Sequence, residues 1–230
     1  MVAPGWVSPL FRERRVSHWF SSREAPTALW IAQHLAGDAA RPAQTRQVHG
    51  GRCVVARECV DGAVIDADAI VCADPMLVPV ILTADCVPLL VLCKASRTCA
   101  AIHAGWRGIG SDIVRATIEM MREKFGAEPA SMSAAMGPCA GRSAYEVAED
   151  VIRTWTALGL SSALRRPTST PGKALADCPL AVRILLEREG IASTSVDIDP
   201  PCSITDERFA SHRREPANKN RMRAAISLGE

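Results

Sequence analysis

The chain has 230 residues, of which 48% are hydrophobic and 23% are charged, and its formal net charge at pH 7 is only +2. This composition is that of a globular protein with a core of ordinary size, and the length fits a single domain. The weak net charge argues against nucleic acid as a partner, and the longest apolar stretches are too short to cross a membrane. We therefore expect neither nucleic acid nor a membrane among its partners.

Apolar periodicity and boundaries of glycine or proline predict alternating strands and helices. A short strand is expected in SHWFSSRE, and residues 161–173 are expected to form a polar loop. Helices are predicted over 26–37, 111–126, 144–159 and 177–190. The first runs from Pro26 to Gly37, and the second has Ser111 as its N-cap and Gly126 as its end. The other predicted strands fall within 45–58, 66–75, 78–93, 98–108, 131–141, 193–202 and 221–230.

One predicted strand, VPVILTADCVPLLVLC at 78–93, is too apolar to alternate, which is typical of a strand covered on both faces. Pro88 cannot donate a hydrogen bond to a strand ladder, so a break or a sheet edge is expected near Cys86. Strands cluster early in the chain and helices intervene later. The sequence therefore predicts an α/β (α+β) fold with a mixed sheet, in a single domain over residues 1–230.

The nine cysteines are odd in number, are spread along the chain and form no CxxC pair. This pattern argues against a zinc ribbon and against a thioredoxin-type redox site. The start of the chain, MVAPGWVSPLFRERR, lacks the charged region and long apolar segment of a secretory signal. We therefore expect mostly free, buried thiols in a protein of the reducing cytoplasm.

Three short blocks place reactive residues where predicted strands reach turns: QVHGG with His49, TADC with Cys86 and HAGWRG with His103. Zinc accepts imidazole nitrogen and thiolate, and three protein ligands leave a fourth position for water, as in catalytic sites. Separations of 37 and 17 residues suit ligands on different strands of one sheet. A buried inert cysteine, a core histidine and a loop histidine are the structural alternatives, and they are more common.

The same residues also fit a nucleophilic thiolate at Cys86, with either histidine as its base and Asp85 orienting that base. Metal analysis of the protein and alkylation of its thiols separate this possibility from a metal site.

Candidate anion-binding groups flank these blocks. Arg107 precedes the helix expected from Ser111, and a helix N-terminus beside a guanidinium group can hold an anion. Arg213 or Arg214 in SHRR is a second candidate for phosphate. A tight glycine turn and solvated surface arginines are the structural alternatives. Asp68 and Asp177 are expected to be turn or capping carboxylates.

The blocks QVHG, ADAIV, VILTADCVPLLV, AAIHAGWRGI, MGPCAGRSAYEV and CSITDERFASHRR resemble, in order and spacing, those of the laccase-domain family. This family is also called the multicopper polyphenol oxidase family and is now regarded as purine nucleoside phosphorylases. The resemblance covers roughly residues 18–228. It implies a zinc ion held by His49, Cys86 and His103, and a compact domain with mixed β-sheets sandwiched between helices.

The activity implied by the resemblance is phosphorolysis of adenosine, inosine, guanosine and methylthioadenosine, with adenosine deamination at the same site. For this chemistry we expect Arg107 or Arg213 to hold phosphate and Asp85 to serve as acid or base. Gln47 is expected to orient the nucleoside or His49. In a regular strand Asp85 would face away from the metal, which favours a structural role for it. The expected partners are a purine nucleoside and phosphate, and the protein is expected to be a monomer.

The sequence departs from the family pattern at three places. HWFSSREAPTALW runs almost directly into the first helix, so most of an insert usual in the family is missing, which predicts an open pocket or altered specificity. His212 replaces the usual aromatic residue before the late arginine pair. A family motif near the end reads NKNRMR, in which Arg221 is retained.

Two other functions remain as alternatives. A copper-dependent polyphenol oxidase, or laccase, would use Cu²⁺ in several centres rich in histidine, and only three of the five histidines lie outside the proposed triad. A cell-wall-editing or non-enzymatic protein with a degenerate site is the other alternative, because the shortened N-terminal region permits it.

Overall fold

A computed structural model describes residues 5–60, 62–165, 170–197 and 199–229. Its helices are α1 (Pro9–Glu13), α2 (Ala28–Ala36), α3 (Trp106–Gly110), α4 (Ile113–Phe125), α5 (Glu149–Ala157) and α6 (Cys178–Arg188). Its strands are β1 (His18–Phe20), β2 (Arg41–Ala43), β3 (Cys53–Val55), β4 (Ala69–Cys72), β5 (Leu77–Thr83), β6 (Val87–Cys93), β7 (Thr98–Ala104), β8 (Met132–Met136), β9 (Glu146–Val147), β10 (Leu164–Arg165), β11 (Ala174–Ala176), β12 (Val196–Asp197) and β13 (Met222–Ile226). None of the helices in these ranges is both long enough and apolar enough to span a bilayer.

A six-stranded sheet forms the centre of the fold, in the order β12-β8-β6-β7-β4-β3. Its inner pairs, β8–β6, β6–β7 and β7–β4, are antiparallel, whereas the two outer pairs are parallel. Every residue of β6, β7 and β8 is buried. Continuous apolar strands of this kind occur where both faces of a sheet are covered.

A four-stranded sheet, β1-β13-β5-β2, packs on one face of the six-stranded sheet. Phe20, Ile70, Ile81, Leu90 and Ile226 are buried between the two sheets. Helix α2 covers the outer face of the smaller sheet. Helices α4, α5 and α6 cover the other face of the larger sheet, together with the antiparallel sheet β10-β11-β9. Two mixed sheets therefore lie between helical layers, which confirms the predicted fold class.

The apolar run 78–93 forms two strands and not the single strand that was predicted. Ala84, Asp85 and Cys86 make a turn between β5, in the smaller sheet, and β6, in the larger one. Asp85 has φ 83°, a left-handed conformation that a regular strand does not contain. The break expected near Cys86 is confirmed, and it directs the two halves of the run into different sheets.

The helix predicted to begin at Ser111 begins two residues later. The glycine-rich block before it forms the additional short helix α3, and Ser111 is the C-cap of that helix. Asp112, with φ 58°, separates α3 from α4, and Gly126 ends α4 as predicted. The prediction missed α3 because two glycines within five residues disfavour a helix by propensity alone.

Other boundaries differ by a few residues. Thr27 caps α2 by accepting a hydrogen bond from the amide of Trp30, so Pro26 lies outside that helix. The helix predicted from residue 144 begins at Glu149, because the segment before it joins the three-stranded sheet. Asp177 caps α6, as expected for a capping carboxylate. Residues 166–169 of the predicted polar loop and residue 198 of the predicted strand 193–202 lie outside the described residues.

His18 of β1 and Asp197 of β12 together anchor the N-terminal segment, through Ser8, to both of the larger sheets. Its Nε2 atom accepts a hydrogen bond from the Ser8 amide (3.1 Å), so its Nδ1 atom donates to the Val16 carbonyl (2.8 Å). The Ser8 hydroxyl donates to a carboxylate oxygen of Asp197 (2.6 Å). Burial lowers the pKa of His18, although the bond to Val16 and the charge of Asp197 act in the opposite direction.

We expect His18 to make folding stability depend on pH. Its pKa in the folded state lies below its unfolded value of 6.5, so the unfolded chain binds the proton first as the pH falls. The contribution of His18 to the free energy of unfolding is therefore complete above the unfolded value of 6.5 and is lost as the pH falls below it. Urea unfolding of the wild type and of His18→Gln, between about pH 5 and pH 7.5, measures this. The stability difference between the two proteins should shrink as the pH falls, and parallel curves would contradict the assignment.

Candidate functional site

Three turns meet at one end of the six-stranded sheet and bring His49, Cys86 and His103 together. His49 lies in a turn before β3 and has φ 62°. Cys86 ends the β5–β6 turn. His103 lies near the end of β7, where it is paired with Pro88 of β6. This register places the His103 ring beside the turn that holds the thiol.

The three side chains form a group that could hold a metal ion. One ligand atom from each residue lies within 4.8 Å of the other two. The two imidazole rings are nearly perpendicular, at 80°, with centroids 4.7 Å apart. His103 is buried, Cys86 is half-buried and His49 is exposed, so the group opens to solvent on the side of His49. Two imidazoles and a thiolate are donors that zinc commonly takes.

Asp68 fixes both histidines. One of its carboxylate oxygens accepts from Nδ1 of His103 (2.8 Å) and from the main-chain amide of His49 (2.9 Å). The other accepts from the amides of Val48 and Gly50. Because Nδ1 of His103 is bound to this carboxylate, Nε2 is the ring atom left to bind a metal ion. Asp68 was expected to be a turn or capping carboxylate, and it does bind turn amides, but its bond to His103 was not foreseen.

Gly105 leaves the space in which the ligands meet. A methyl group in place of its hydrogen would lie 2.8 Å from Sγ of Cys86 and 3.4 Å from Cδ2 of His49. Real Cβ atoms do not approach other atoms as closely as 2.8 Å. The glycine of the HAGWRG block is therefore needed for close approach to the thiol, since its backbone conformation is open to any residue.

The protonation of the group reflects these contacts. Burial raises the pKa of Cys86, but hydrogen bonds to His103 and His49 outweigh it and bring the pKa down to about 7. Burial lowers the pKa of His103, whereas its bonds to Asp68 and Cys86 raise it to about 9. Burial likewise opposes ionisation of Asp68, yet the His103 bond keeps its pKa below the usual value. The thiol is thus poised to ionise near neutral pH, as a metal ligand or a nucleophile requires.

A cavity of about 630 Å³ opens onto the three residues. Its walls include the aromatic side chains of Trp106 and Tyr145 and the guanidinium groups of Arg107 and Arg213. The Arg107 guanidinium lies 4.2 Å from the centre of the Trp106 ring, and that of Arg213 lies 5.0 Å from the centre of the Tyr145 ring. Among the described residues, neither arginine pairs with a carboxylate. The cavity therefore presents cations to a ligand.

The remaining predicted residues occupy the cavity wall in different ways. The side-chain amide of Gln47 donates through Nε2 to the Leu82 carbonyl and accepts through Oε1 from the Leu82 main-chain amide, both at 2.7 Å. Gln47 therefore holds the His49 turn against β5. Asp85 lines the cavity, but both of its carboxylate oxygens accept hydrogen bonds from the protein. His212 and Arg221 lie on the cavity wall.

Arg214, the alternative to Arg213, does not line the cavity. Its guanidinium donates to the carbonyls of Ser203 (2.6 Å) and Phe209 (2.7 Å) and pairs with Glu215. It holds the segment that precedes it in one conformation. The adjacent arginines of SHRR thus differ in role, and Arg213 is the one available to a ligand.

A family model described as multi-copper polyphenol oxidoreductase laccase matches residues 27–229. The chain belongs to this family. Curated relatives named purine nucleoside phosphorylase include one from Deinococcus radiodurans, 37% identical over 187 residues (81% of this chain, 70% of the relative), and one from Xylella fastidiosa, 33% identical over 179 residues (76% and 67%). The chain spans about two thirds of the length of such relatives, and less of some.

Solved members of the laccase-domain family have the same fold. The structure of a Neisseria meningitidis protein superposes with a TM-score of 0.80 at 27% identity, covering 100% of this chain and 99% of the other. The hypothetical protein YfiH of Bacillus licheniformis gives a TM-score of 0.86 at 22% identity, with coverage of 98% and 97%. The layered arrangement of sheets and helices is therefore that of the family.

Among the cavity residues that the sequence alone did not single out are two aromatic ones. Trp106 and Tyr145 lie in predicted family blocks, HAGWRG and SAYEV, but nothing in their local pattern distinguishes a cavity wall from a core position.

The link between β1 and α2, where the sequence predicts a missing insert, does not line the cavity. Within it, the Arg23 amide bonds to the Arg208 carbonyl (2.8 Å), and the Arg23 side chain pairs with Glu215 (2.9 Å).

We expect Gly105→Ala to weaken metal binding by about tenfold or more, because the added methyl group displaces Sγ of Cys86 from the other ligands. Gly50→Ala is the matched control, since its new methyl group would meet no atom closer than 3.7 Å. Titration of each folded variant with zinc in competition with a chelator measures the affinity. Equal affinities for the two variants would contradict the role given to Gly105.

We expect Asp68→Asn to lower metal affinity by about 10- to 100-fold, because an amide cannot accept from all four of the N–H groups that meet the carboxylate. Asp66→Asn is the control, because the Asp66 side chain is only half-buried and, among the residues that the structure describes, it pairs with Arg46 alone. The same competition titration applies, with circular dichroism to verify the fold. An unchanged affinity in Asp68→Asn would show that the histidines need no such support.

Proposed function

We propose that the protein is a zinc-dependent purine nucleoside phosphorylase. The observation that supports this most directly is the composition of the cavity, where His49, Cys86 and His103 face the same space as Arg107 and Arg213. Metal ligands beside unpaired guanidinium groups suit a reaction that uses an anionic substrate. Relatives that carry the name purine nucleoside phosphorylase support the same proposal.

The donor set favours zinc over copper as the resident ion. Two imidazoles and one thiolate make three protein ligands, which is the number found in catalytic zinc sites. When bound there, a zinc ion would act as a Lewis acid toward a substrate oxygen. Asp68 would keep the His103 ring turned toward the ion, and Gln47 would hold the His49 turn in place.

Arg107 and Arg213 would hold the phosphate. In phosphorolysis a phosphate oxygen forms a bond to C1′ of the ribose while the bond from C1′ to the purine nitrogen breaks and its electron pair leaves with the base. Two guanidinium groups would bind and orient the monoanionic or dianionic phosphate that serves as the nucleophile. Arg107 is restrained by the Trp106 ring and Arg213 by the Tyr145 ring, so both groups are held before phosphate arrives.

The cavity also suits a nucleoside. Its volume of about 630 Å³ is within the usual range for small-molecule sites. Trp106 and Tyr145 offer ring faces on which a purine can stack. We therefore propose adenosine, inosine, guanosine and methylthioadenosine as substrates, with adenosine deamination as a side activity of the same site.

A copper-dependent polyphenol oxidase, as the family description reads, is the second candidate. Such chemistry uses several copper centres rich in histidine. In the part of the chain that the structure describes, the triad is the only group of three or more candidate ligands. His18 is bound in the N-terminal segment and His34 is stacked on Trp30, so neither belongs to this site. These positions favour a site for one metal ion.

The test is incubation of the zinc-loaded protein with inosine or adenosine, with and without phosphate, followed by chromatography of the products. We expect free base and ribose 1-phosphate, formed only when phosphate is present. Oxidation of a phenol that requires oxygen and copper would support the laccase alternative. If neither free base nor an oxidised phenol forms, the result would support the non-enzymatic or cell-wall-editing alternative.

We expect Cys86→Ala to lose zinc and phosphorolysis together while it keeps its fold, because the cores on both faces of the large sheet do not depend on the thiol. Elemental analysis, circular dichroism and the product assay measure the three properties. Cys53→Ala is a matched control, because that thiol is also half-buried and lies outside the cavity. Retention of stoichiometric zinc by Cys86→Ala would contradict the ligand assignment.

A further inference from the structure

Asp85 connects the turn before Cys86 to three later positions of the chain, Ala140, Ser203 and Arg213. It lies in the β5–β6 turn, directly before Cys86, and is only 9% exposed. Its Oδ1 atom accepts from the Ser203 hydroxyl and its Oδ2 atom accepts from the main-chain amide of Arg213, each at 2.7 Å. Its carbonyl accepts from the amide of Ala140 (2.8 Å). The turn that presents the thiol is thereby joined to residues 118 and 128 positions further along the chain.

The bond to the Arg213 amide determines where the Arg213 side chain begins. Its other end is held by a bond from Nη1 to the Glu146 carbonyl (2.8 Å) and by the Tyr145 ring. The Arg213 side chain therefore runs along the cavity wall with both ends fixed, one at its main-chain amide and the other at its guanidinium group. If the amide end moved, the guanidinium would leave either the ring or the carbonyl.

Arg214 braces the segment between Ser203 and Arg213, because its guanidinium donates to the Ser203 carbonyl at one end and to the Phe209 carbonyl within it. Internal bonds of this kind fix the shape of the segment but not its position relative to Cys86. Main-chain bonds from the Ser203 amide to the Cys139 carbonyl and from the Arg23 amide to the Arg208 carbonyl, each at 2.8 Å, hold the segment to other parts of the fold. The two bonds to the Asp85 carboxylate tie it directly to the turn that holds Cys86.

We propose that Asp85 is a positioning residue, which sets the phosphate-binding Arg213 at a fixed place relative to Cys86, and that it does not transfer a proton in the reaction. This inference rests on the proposed function for the role of Arg213. Both carboxylate oxygens are engaged by donors of the protein, Oδ1 by the Ser203 hydroxyl and Oδ2 by the Arg213 amide. This engagement on both sides is the geometry that a positioning residue requires.

The decisive variant is Asp85→Asn. An asparagine can accept from the Arg213 amide through its oxygen and donate to the Ser203 hydroxyl, which can rotate and accept. It keeps both anchors but cannot act as acid or base. We expect Asp85→Asn to keep kcat within about threefold of the wild type, whereas loss of a true acid or base costs about 100- to 10,000-fold. A loss of that size in Asp85→Asn would overturn the proposal.

Two further variants remove the anchors. Asp85→Ala should raise the KM for phosphate by about tenfold or more, with a smaller effect on the KM for the nucleoside. Ser203→Ala removes one anchor, keeps the carboxylate and should give a smaller change in the same direction. If Asp85→Ala does not fold, Ser203→Ala supplies the comparison, and an unchanged KM for phosphate in Ser203→Ala would contradict the proposal.

Hydrogen exchange tests the same inference without the reaction. In Asp85→Ala and Ser203→Ala, amides between residues 203 and 214 should exchange faster than in the wild type, whereas Asp85→Asn should match the wild type. If Asp85→Ala and Ser203→Ala exchange faster but the wild type shows no phosphorolysis, the positioning role is retained and the proposed function is rejected. Unchanged exchange in both anchor-deficient variants would reject the positioning role, whatever the activity.

Discussion

The buried carboxylate of Asp68 is the interaction on which the site depends. A buried charge is costly unless hydrogen bonds compensate it, and here four N–H groups do so. The same residue accepts from the His103 amide through its carbonyl (2.7 Å), immediately before β4 pairs with β7. Strand register therefore sets the position of Asp68, and Asp68 in turn sets the ring of His103 and the main chain of His49. The arrangement of His49 and His103 therefore follows from the sheet through one side chain.

The arginines near the cavity show how a fold divides residues of one type between structure and chemistry. Arg214 is bound to carbonyl groups of its own segment, while Arg213, its neighbour in sequence, faces the cavity. Arg46 lines the cavity but is paired with Asp66, whereas Arg107 rests on an aromatic ring. Arg107 and Arg213, which have no carboxylate partner among the described residues, line the same concave space. The local field there favours anions even though the whole chain is nearly neutral.

Sequence reasoning located the triad because its members interrupt the local pattern: a thiol beside a carboxylate in an apolar run, and histidines beside glycine turns. It also predicted most strands of the two larger sheets, most helices and the layered fold class. It missed β2 and the three short strands β9, β10 and β11. It could not assign the two halves of the run 78–93 to different sheets, because both halves are equally apolar. The partners of Asp85 lie more than a hundred residues away in sequence, so only the folded chain shows that its carboxylate is occupied.

His49 and Asp85 both have positive φ values, 62° and 83°, which residues other than glycine adopt at a cost of about 1–3 kcal/mol each. Glycine would relieve that strain but would supply neither an imidazole nor a carboxylate. Backbone strain is therefore concentrated where His49 and Cys86 approach each other. An ion bound there would offset part of this strain by mass action, and the loaded chain would resist unfolding more than the empty one.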